Sequence, residues 1–451
     1  MRNFFAAFLI CIFIAPASQA AEKVLDIQEV TSPGGITAWL VEDHSVPVIA
    51  MNFGFNGAGA AFDPPDKQGV AQMLSNTMDE GADDIKSEEF QKELRDLSIA
   101  LSFSSSRDNF SGAVKTLTRN KARAFELTAL ALTKPRFDDD AVTRMREANK
   151  SRLRSSISDP EWIAARILND TAFHGHPYAM NSGGTLSGLD KVGPAELRAF
   201  HKTYIGKNNL SVAVAGDMTK EELAATLDAV FGALPVVTIP ATIPDVSVQN
   251  QGKITVFTQD IPQTIIEMIQ PGIDRKDPDF QIAQVMNFIL GSSGFGSRLT
   301  EELREKRGLT YGIFSYYVDM LHFDGLQVST STENKSATEV LALIKTEWDR
   351  MKAAPVTEQE LKDAKAYLIG SLPLSLSSTD QIASLVLSLR MDGMPIDYLE
   401  KREDAIRKTT ADDIQRLAKE LLDTAKMAIV LTGNPGDIPG AVLVKDIPNA
   451  Q

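Results

Sequence analysis

The two halves of the chain spell out the same order of elements, and that repetition limits the fold more than any single motif. In the first half, extended stretches at residues 36–41 and 48–55 precede helices at 67–78 and 87–97, strands at 100–105 and 110–117, and helices at 119–133 and 138–156. The second half answers with strands at 253–258 and 264–269, helices at 278–290 and 297–306, strands at 311–319 and 326–332, and helices at 336–352 and 357–372. Three anchors fix the comparison. Gln72 in Val70-Ala71-Gln72-Met73 matches Gln284 in Ile282-Ala283-Gln284-Val285, Pro135 matches Pro355, and Gly216 at the end of an apolar run matches Gly433. Their separations of 212, 220 and 217 residues are nearly constant, as a tandem duplication requires. The expectation is an α+β chain of two homologous domains, residues 21–234 and 251–451. The join at 235–250 carries Pro235, Pro240 and Pro244 with no glycine between them, which favours an extended, semi-rigid strap. Two stapled halves that face each other enclose a chamber.

The first twenty residues read differently from the rest. Arg2, an apolar run from residue 4 to residue 15, and small residues at Ser18 and Ala20 form the pattern of a secretory signal cleaved near Ala20. Export to the periplasm or the medium follows, with no membrane insertion expected, because no later segment approaches the ~20 uncharged apolar residues of a spanning helix. The lone cysteine, Cys11, leaves with the signal, so thiolate metal sites and cysteine nucleophiles are excluded. Loss of Arg2 takes the net charge from −14 to −15, a surface that repels nucleic acid. Acidity alone says nothing about substrate.

Four places invite a chemical reading. In Gln72-Met73-Leu74-Ser75-Asn76 the spacing is that of an inverted zinc motif, His-x-x-Glu-His, in which two histidines on one helix face hold the metal and the glutamate takes a proton from its water. Gln72 and Asn76 offer neutral amides, and Ser75 is no base near neutral pH, so these are vestigial positions predicted not to bind metal. His174-Gly175-His176 lacks a third ligand nearby and fits turn and packing chemistry better. Asp138-Asp139-Asp140 lacks the glycine and distal glutamate of a calcium loop and suits a helix start. The run Gly291-Ser292-Ser293-Gly294-Phe295-Gly296 has no Walker lysine after it, which leaves a flexible turn or a contact loop.

With its vestigial helix, His176-Pro177-Tyr178 followed by Gly183-Gly184-Thr185, Asn208-Asn209 leading to Gly216-Asp217, and the run from Leu303 to Tyr311, the chain resembles the insulinase/pitrilysin metallopeptidases in their short two-domain form. The resemblance covers almost the whole chain after residue 20. It implies half of a clam-shaped chamber around an extended peptide, with a zinc-bearing paralogous subunit as partner. The family's third ligand, a glutamate on a later helix, falls at Ser151 or Arg152, neither acidic, so the zinc belongs to the partner and this chain carries no cofactor. Arg304 and Tyr311 match the arginine and tyrosine that one subunit lends to the other's site, where they contact substrate carbonyls. Gly291, Gly294 and Gly296 match a loop implicated in handling substrate. The resemblance therefore implies a chain inactive alone, contributing to peptide hydrolysis only with its partner; the rival reading is a peptide-binding clamp without catalysis.

Overall fold

A computed structural model describes residues 23–240, 242–293 and 296–449. The proposed signal at residues 1–20 lies outside the described residues. Among the described residues there are fourteen strands: β1 (Ile27–Thr31), β2 (Thr37–Glu42), β3 (Val48–Asn56), β4 (Gly81–Ala82), β5 (Ile85–Lys86), β6 (Ala100–Ser105), β7 (Asn109–Leu117), β8 (Leu210–Gly216), β9 (Ile254–Thr258), β10 (Gln263–Pro271), β11 (Ile313–Met320), β12 (Phe323–Glu333), β13 (Ala428–Gly433) and β14 (Val442–Val444). Twelve of them build two six-stranded sheets, ordered β1-β2-β8-β3-β7-β6 and β14-β9-β13-β10-β12-β11. Read in that direction, β2, β8, β3, β7 and β6 correspond to β9, β13, β10, β12 and β11. Both sheets hold one internal parallel pair, β2 with β8 and β9 with β13, and the strands beyond β8 and β13 pair antiparallel. The outermost strand breaks the symmetry, since β1 runs antiparallel to β2 while β14 runs parallel to β9.

The halves are not independent units. The helix Pro160–Phe173 belongs to the first half in sequence, yet Ile163, Ile167, Leu168 and Phe173 pack with Ile269, Ala428 and Val430 of the second sheet. In return, Ala383, Val386, Leu387 and Leu389 of the helix Thr379–Met391 pack with Trp39, Val41, Ala50, Ala213 and Ala215 of the first sheet. Each sheet thus has its own helices on one face and a borrowed helix on the other. Two-sided cover explains why β3 and β10 are buried along almost their whole length and read as apolar runs, without the alternation of a half-solvated strand. Gly54 is part of the same packing: a β-carbon there would sit 2.4 Å from Met391 Sδ.

Among its described residues the proline strap has no helix or strand, and it is clipped to both halves. The Asn208 side-chain amide exchanges a pair of hydrogen bonds with the Val237 backbone, at 2.9 and 2.8 Å. Further on, His176 bonds the Pro244 carbonyl at 2.9 Å, and the Val246 and Gln249 amides donate to the carbonyls of His322 and Ala172. Such clips hold an extended chain in place without regular structure. At the far side, the β6–β7 turn (Ser106 to Asn109) meets the β11–β12 turn across a cavity of about 290 Å³.

Candidate functional site

The vestigial motif lies on a short helix, Val70–Ser75, not the longer one expected over 67–78. Gly69 at φ +109° stops it at the front, and Asn76 caps it behind. Its exposed backbone N–H groups are answered by a buried side chain upstream: Asp63 accepts from Gly69 at 2.6 Å and from Ala71 at 2.9 Å. Burial pushes the Asp63 carboxyl up to about 7, against the pull of the bonds from Ala71, Gly69 and Val70. A folded value above the unfolded one means the folded state holds the extra proton, so this group's contribution to stability falls as pH rises from about 4 through about 7. Thermal unfolding of Asp63→Asn across that range should lack this part of the decline, and a variant with the wild-type slope would remove Asp63 as its source.

Around the motif the side chains close on one another. Gln72 Nε2 donates to Ser75 Oγ at 3.2 Å and to Asn76 Oδ1 at 3.1 Å, while Ser75 Oγ donates to the Gln72 carbonyl. Asn149, on the helix Asp139–Ser156, donates to Asn76 Oδ1 at 2.9 Å and to Met73 Sδ at 3.2 Å. Arg152 Nη1 then donates to Asn149 Oδ1 at 2.9 Å. Both third-ligand positions are exposed, but Arg152 is tied to the network through Asn149, and among the described residues no hydrogen bond joins Ser151 to it. Asn149 itself is not evident in the sequence reading, because the family spacing points past it. Zinc does not fit this donor set: the amides are neutral, no thiolate, imidazole or carboxylate faces in, and a guanidinium would lie beside the metal. Among the described residues no group of three or more His, Cys, Asp or Glu side chains is placed to hold a metal.

Arg304 and Tyr311 lie in the second half, ahead of β11. Arg304 is the last residue but one of a wide helical turn, Glu301–Glu305, its Nε 3.6 Å from Glu305 Oε1. The chain then reverses, with Gly308 N donating to Arg304 O and Leu309 N to Leu303 O. Tyr311 precedes β11, which starts at Ile313 and not at 311. Its neighbours are fixed: Thr310 Oγ1 donates to the Gly312 carbonyl at 2.8 Å and meets Thr330 Oγ1 at 2.9 Å. The Tyr311 side chain is nonetheless 84% exposed. The backbone on either side of Tyr311 is thus held while its phenol stands in solvent. Gly291 is placed otherwise, buried where a β-carbon would sit 2.4 Å from Ser315 Oγ, so packing against β11 accounts for it. Gly294 lies outside the described residues. Gly296 sits at φ +101° with nothing within 4 Å of an added β-carbon, an exposed loop position that favours glycine.

His176-Pro177-Tyr178 acts as an inter-half clamp. The Tyr178 hydroxyl donates to Asp108 Oδ1 at 2.6 Å and accepts from the His322 amide at 3.1 Å; Asp108 Oδ2 takes the Leu321 amide. Arg107 donates to the Tyr178 carbonyl and lies over its ring at 5.5 Å. His176 Nδ1 accepts from Tyr178 N, and burial lowers its pKa, as a neutral packed imidazole requires. His174 pairs with Asp170 at the surface. Asp139 and Asp140 occupy the first turn of the helix Asp139–Ser156, the place where acids offset the helix dipole.

Comparison with known proteins agrees with this geometry. The family model described as insulinase (peptidase family M16) matches residues 55–185, and that described as peptidase M16 inactive domain matches residues 191–368. A crystal structure of a peptidase M16 inactive domain from Pseudomonas fluorescens superposes with a TM-score of 0.85 at 27% identity, covering 93% of this chain and 100% of the other. The non-peptidase homologue YmxG of Helicobacter pylori is 24% identical over 439 residues, which is 96% of this chain and 99% of its own. The mitochondrial-processing peptidase subunit beta of Saccharomyces cerevisiae is 22% identical over 415 residues, 87% of this chain and 88% of its own. With the two-domain fold of these relatives, and with matches to an inactive domain and to a non-peptidase homologue, the chain belongs to the insulinase (M16) peptidase family as one of its inactive members.

Proposed function

We propose that this chain is the non-zinc subunit of an exported, two-chain insulinase-like peptidase, lending Arg304 and Tyr311 to a site completed by a zinc-bearing paralogue. The observation that carries the reading is Tyr311, held at both flanks by backbone and hydroxyl contacts while its ring stands in solvent. A guanidinium and a phenol directed at a peptide carbonyl stabilise the negative charge that grows on its oxygen during attack. Relatives named as subunits of a processing peptidase support a paired assembly, and the amide network at Gln72, Ser75 and Asn76 supports placing the metal elsewhere. Substrate would be an extended peptide along a sheet edge in the shared chamber. Export rests on the pattern of residues 1–20.

The test pairs this chain with a paralogue carrying an intact His-x-x-Glu-His. Alone, this chain should hold no stoichiometric zinc and leave an unfolded peptide intact; the pair should co-elute and cleave it in a chelator-sensitive way. One tightly held zinc in this chain alone would overturn the assignment. Binding of peptide by the pair with no cleavage would favour the clamp.

A further inference from the structure

A second cavity, unconnected with either the vestigial motif or Tyr311, is built into the second half. It measures about 380 Å³ and lies between the helices Phe280–Asn287, Thr379–Met391 and Tyr398–Lys408 and the strand β11. That is within the range of pockets that enclose small ligands. Phe280, Leu385, Leu389 and Leu399 supply apolar wall. Two guanidiniums and one carboxylate, Arg275, Arg402 and Asp319, also line it.

The charges do not cancel evenly. Arg275 is committed to acids, 2.6 Å from Asp392 and 3.8 Å from Asp319, and it stacks on the Tyr398 ring at 5.5 Å. Arg402 has no such partner among the described residues. Its one hydrogen bond goes from Nη1 to the Leu368 carbonyl at 3.2 Å, and the adjacent Glu403 is taken up by Arg407. Burial lowers the Arg402 pKa and the Arg275 charge adds to the effect, while Tyr398 and Glu403 oppose it; the cation is held in a setting that disfavours it. A part-buried cation answered only by a carbonyl costs stability unless an anion meets it. A second unmet group lines the same cavity. Gln281 Nε2 reaches Tyr398 Oη at 3.0 Å, and the other amide atom of Gln281, which is only 7% exposed, has no partner. If this amide turns over, the Tyr398 hydroxyl donates to its oxygen and its NH₂ becomes a second donor for an acceptor.

We propose that this cavity binds a small organic anion, a carboxylate with a short apolar tail, its head on Arg402 and the Gln281 amide and its tail among Leu385, Leu389 and Leu399. A fatty acid and a peptide ending in a free apolar residue share this chemistry. The inference is independent of the peptidase assignment, since it uses neither Tyr311 nor a partner chain.

Calorimetric titration of the mature protein with octanoate, octanamide and N-acetyl-leucine tests it. Saturable binding of octanoate or N-acetyl-leucine is expected at one site, with the neutral octanamide roughly tenfold weaker or more, on the scale of a lost charge-assisted contact. Tighter binding of octanoate assigns the ligand to lipid-derived acids, and tighter binding of N-acetyl-leucine to peptide C-termini. Arg402→Gln, which keeps a donor for the Leu368 carbonyl, should weaken the carboxylates by about the same factor and leave octanamide unchanged. No saturable carboxylate binding, or equal affinity for octanoate and octanamide, would overturn the proposal. So would wild-type octanoate affinity in a folded Arg402→Gln protein. Should that variant fail to fold, the octanoate-to-octanamide ratio of the wild-type protein decides alone.

Discussion

Replacing Tyr311 by phenylalanine should lower kcat of the two-chain peptidase by roughly 10²-fold while leaving the assembly intact, the scale on which losing one donor to a developing oxyanion acts. The substitution removes a hydroxyl and keeps the ring. Because the side chain is exposed and its backbone is held by Thr310, Gly312 and Thr330, nothing in the fold depends on that oxygen. Arg304→Ala should lower kcat as well and raise KM where the guanidinium also grips the ground-state peptide. The two residues sit on opposite sides of one reverse turn closed by the Leu309-to-Leu303 hydrogen bond, so their effects should fall short of additive. Peptide binding with no turnover in either wild type or variant would instead identify a clamp. Turnover equal to wild type in a Tyr311→Phe complex, with co-elution on size exclusion unchanged, would strip the catalytic role from this residue and leave the fold and family assignment untouched.

The duplication was legible because its strands and helices keep their periods. Strand β6 spans the residues expected for it, 100–105, and most other strands and helices of the repeat, the alternating β7 and the apolar runs β3 and β10 among them, lie within two residues of their expected bounds. What the periods cannot show is which sheet a helix joins. The helices Pro160–Phe173 and Thr379–Met391 have ordinary apolar faces, yet each lies on the opposite half's sheet, a choice made by tertiary packing of Phe173 against Phe323 and of Val386 against Ala213 and Ala215. The start of the first was nonetheless written in Asp159-Pro160-Glu161, where Asp159 caps the Glu161 amide at 3.0 Å and proline takes the first helical position. The vestigial site was visible as chemistry and invisible as contact: loss of histidine and glutamate can be read residue by residue, but the pairing of Asn76 with Asn149 joins positions 73 apart with no period linking them. His176 was likewise found by type and explained only by place, since its bonds to Pro244 and Tyr178 span the strap and the seam.

The same contacts decide where a metal site could be rebuilt. Gln72→His, Ser75→Glu and Asn76→His restore two ligands and a base on one helix face, since residues three and four apart on Val70–Ser75 and its Asn76 cap already touch one another. Without a further acidic ligand, zinc binding should stay weak. Glutamate at position 152 should strengthen it by roughly 10–100-fold, the range associated with gaining or losing support around a metal. Two effects add there: Arg152 already reaches the network through Asn149, and exchanging its cation for a carboxylate reverses the sign of the charge beside a dication. Glutamate at Ser151 should add little, because Ser151, unlike Arg152, has no hydrogen bond to the network among the described residues. Equilibrium dialysis with zinc against the triple variant and its two four-fold derivatives separates these outcomes. Equal or tighter binding with Ser151→Glu would mean that the helix turns on binding metal and that the contact from Arg152 through Asn149 to Asn76 does not mark the ligand position.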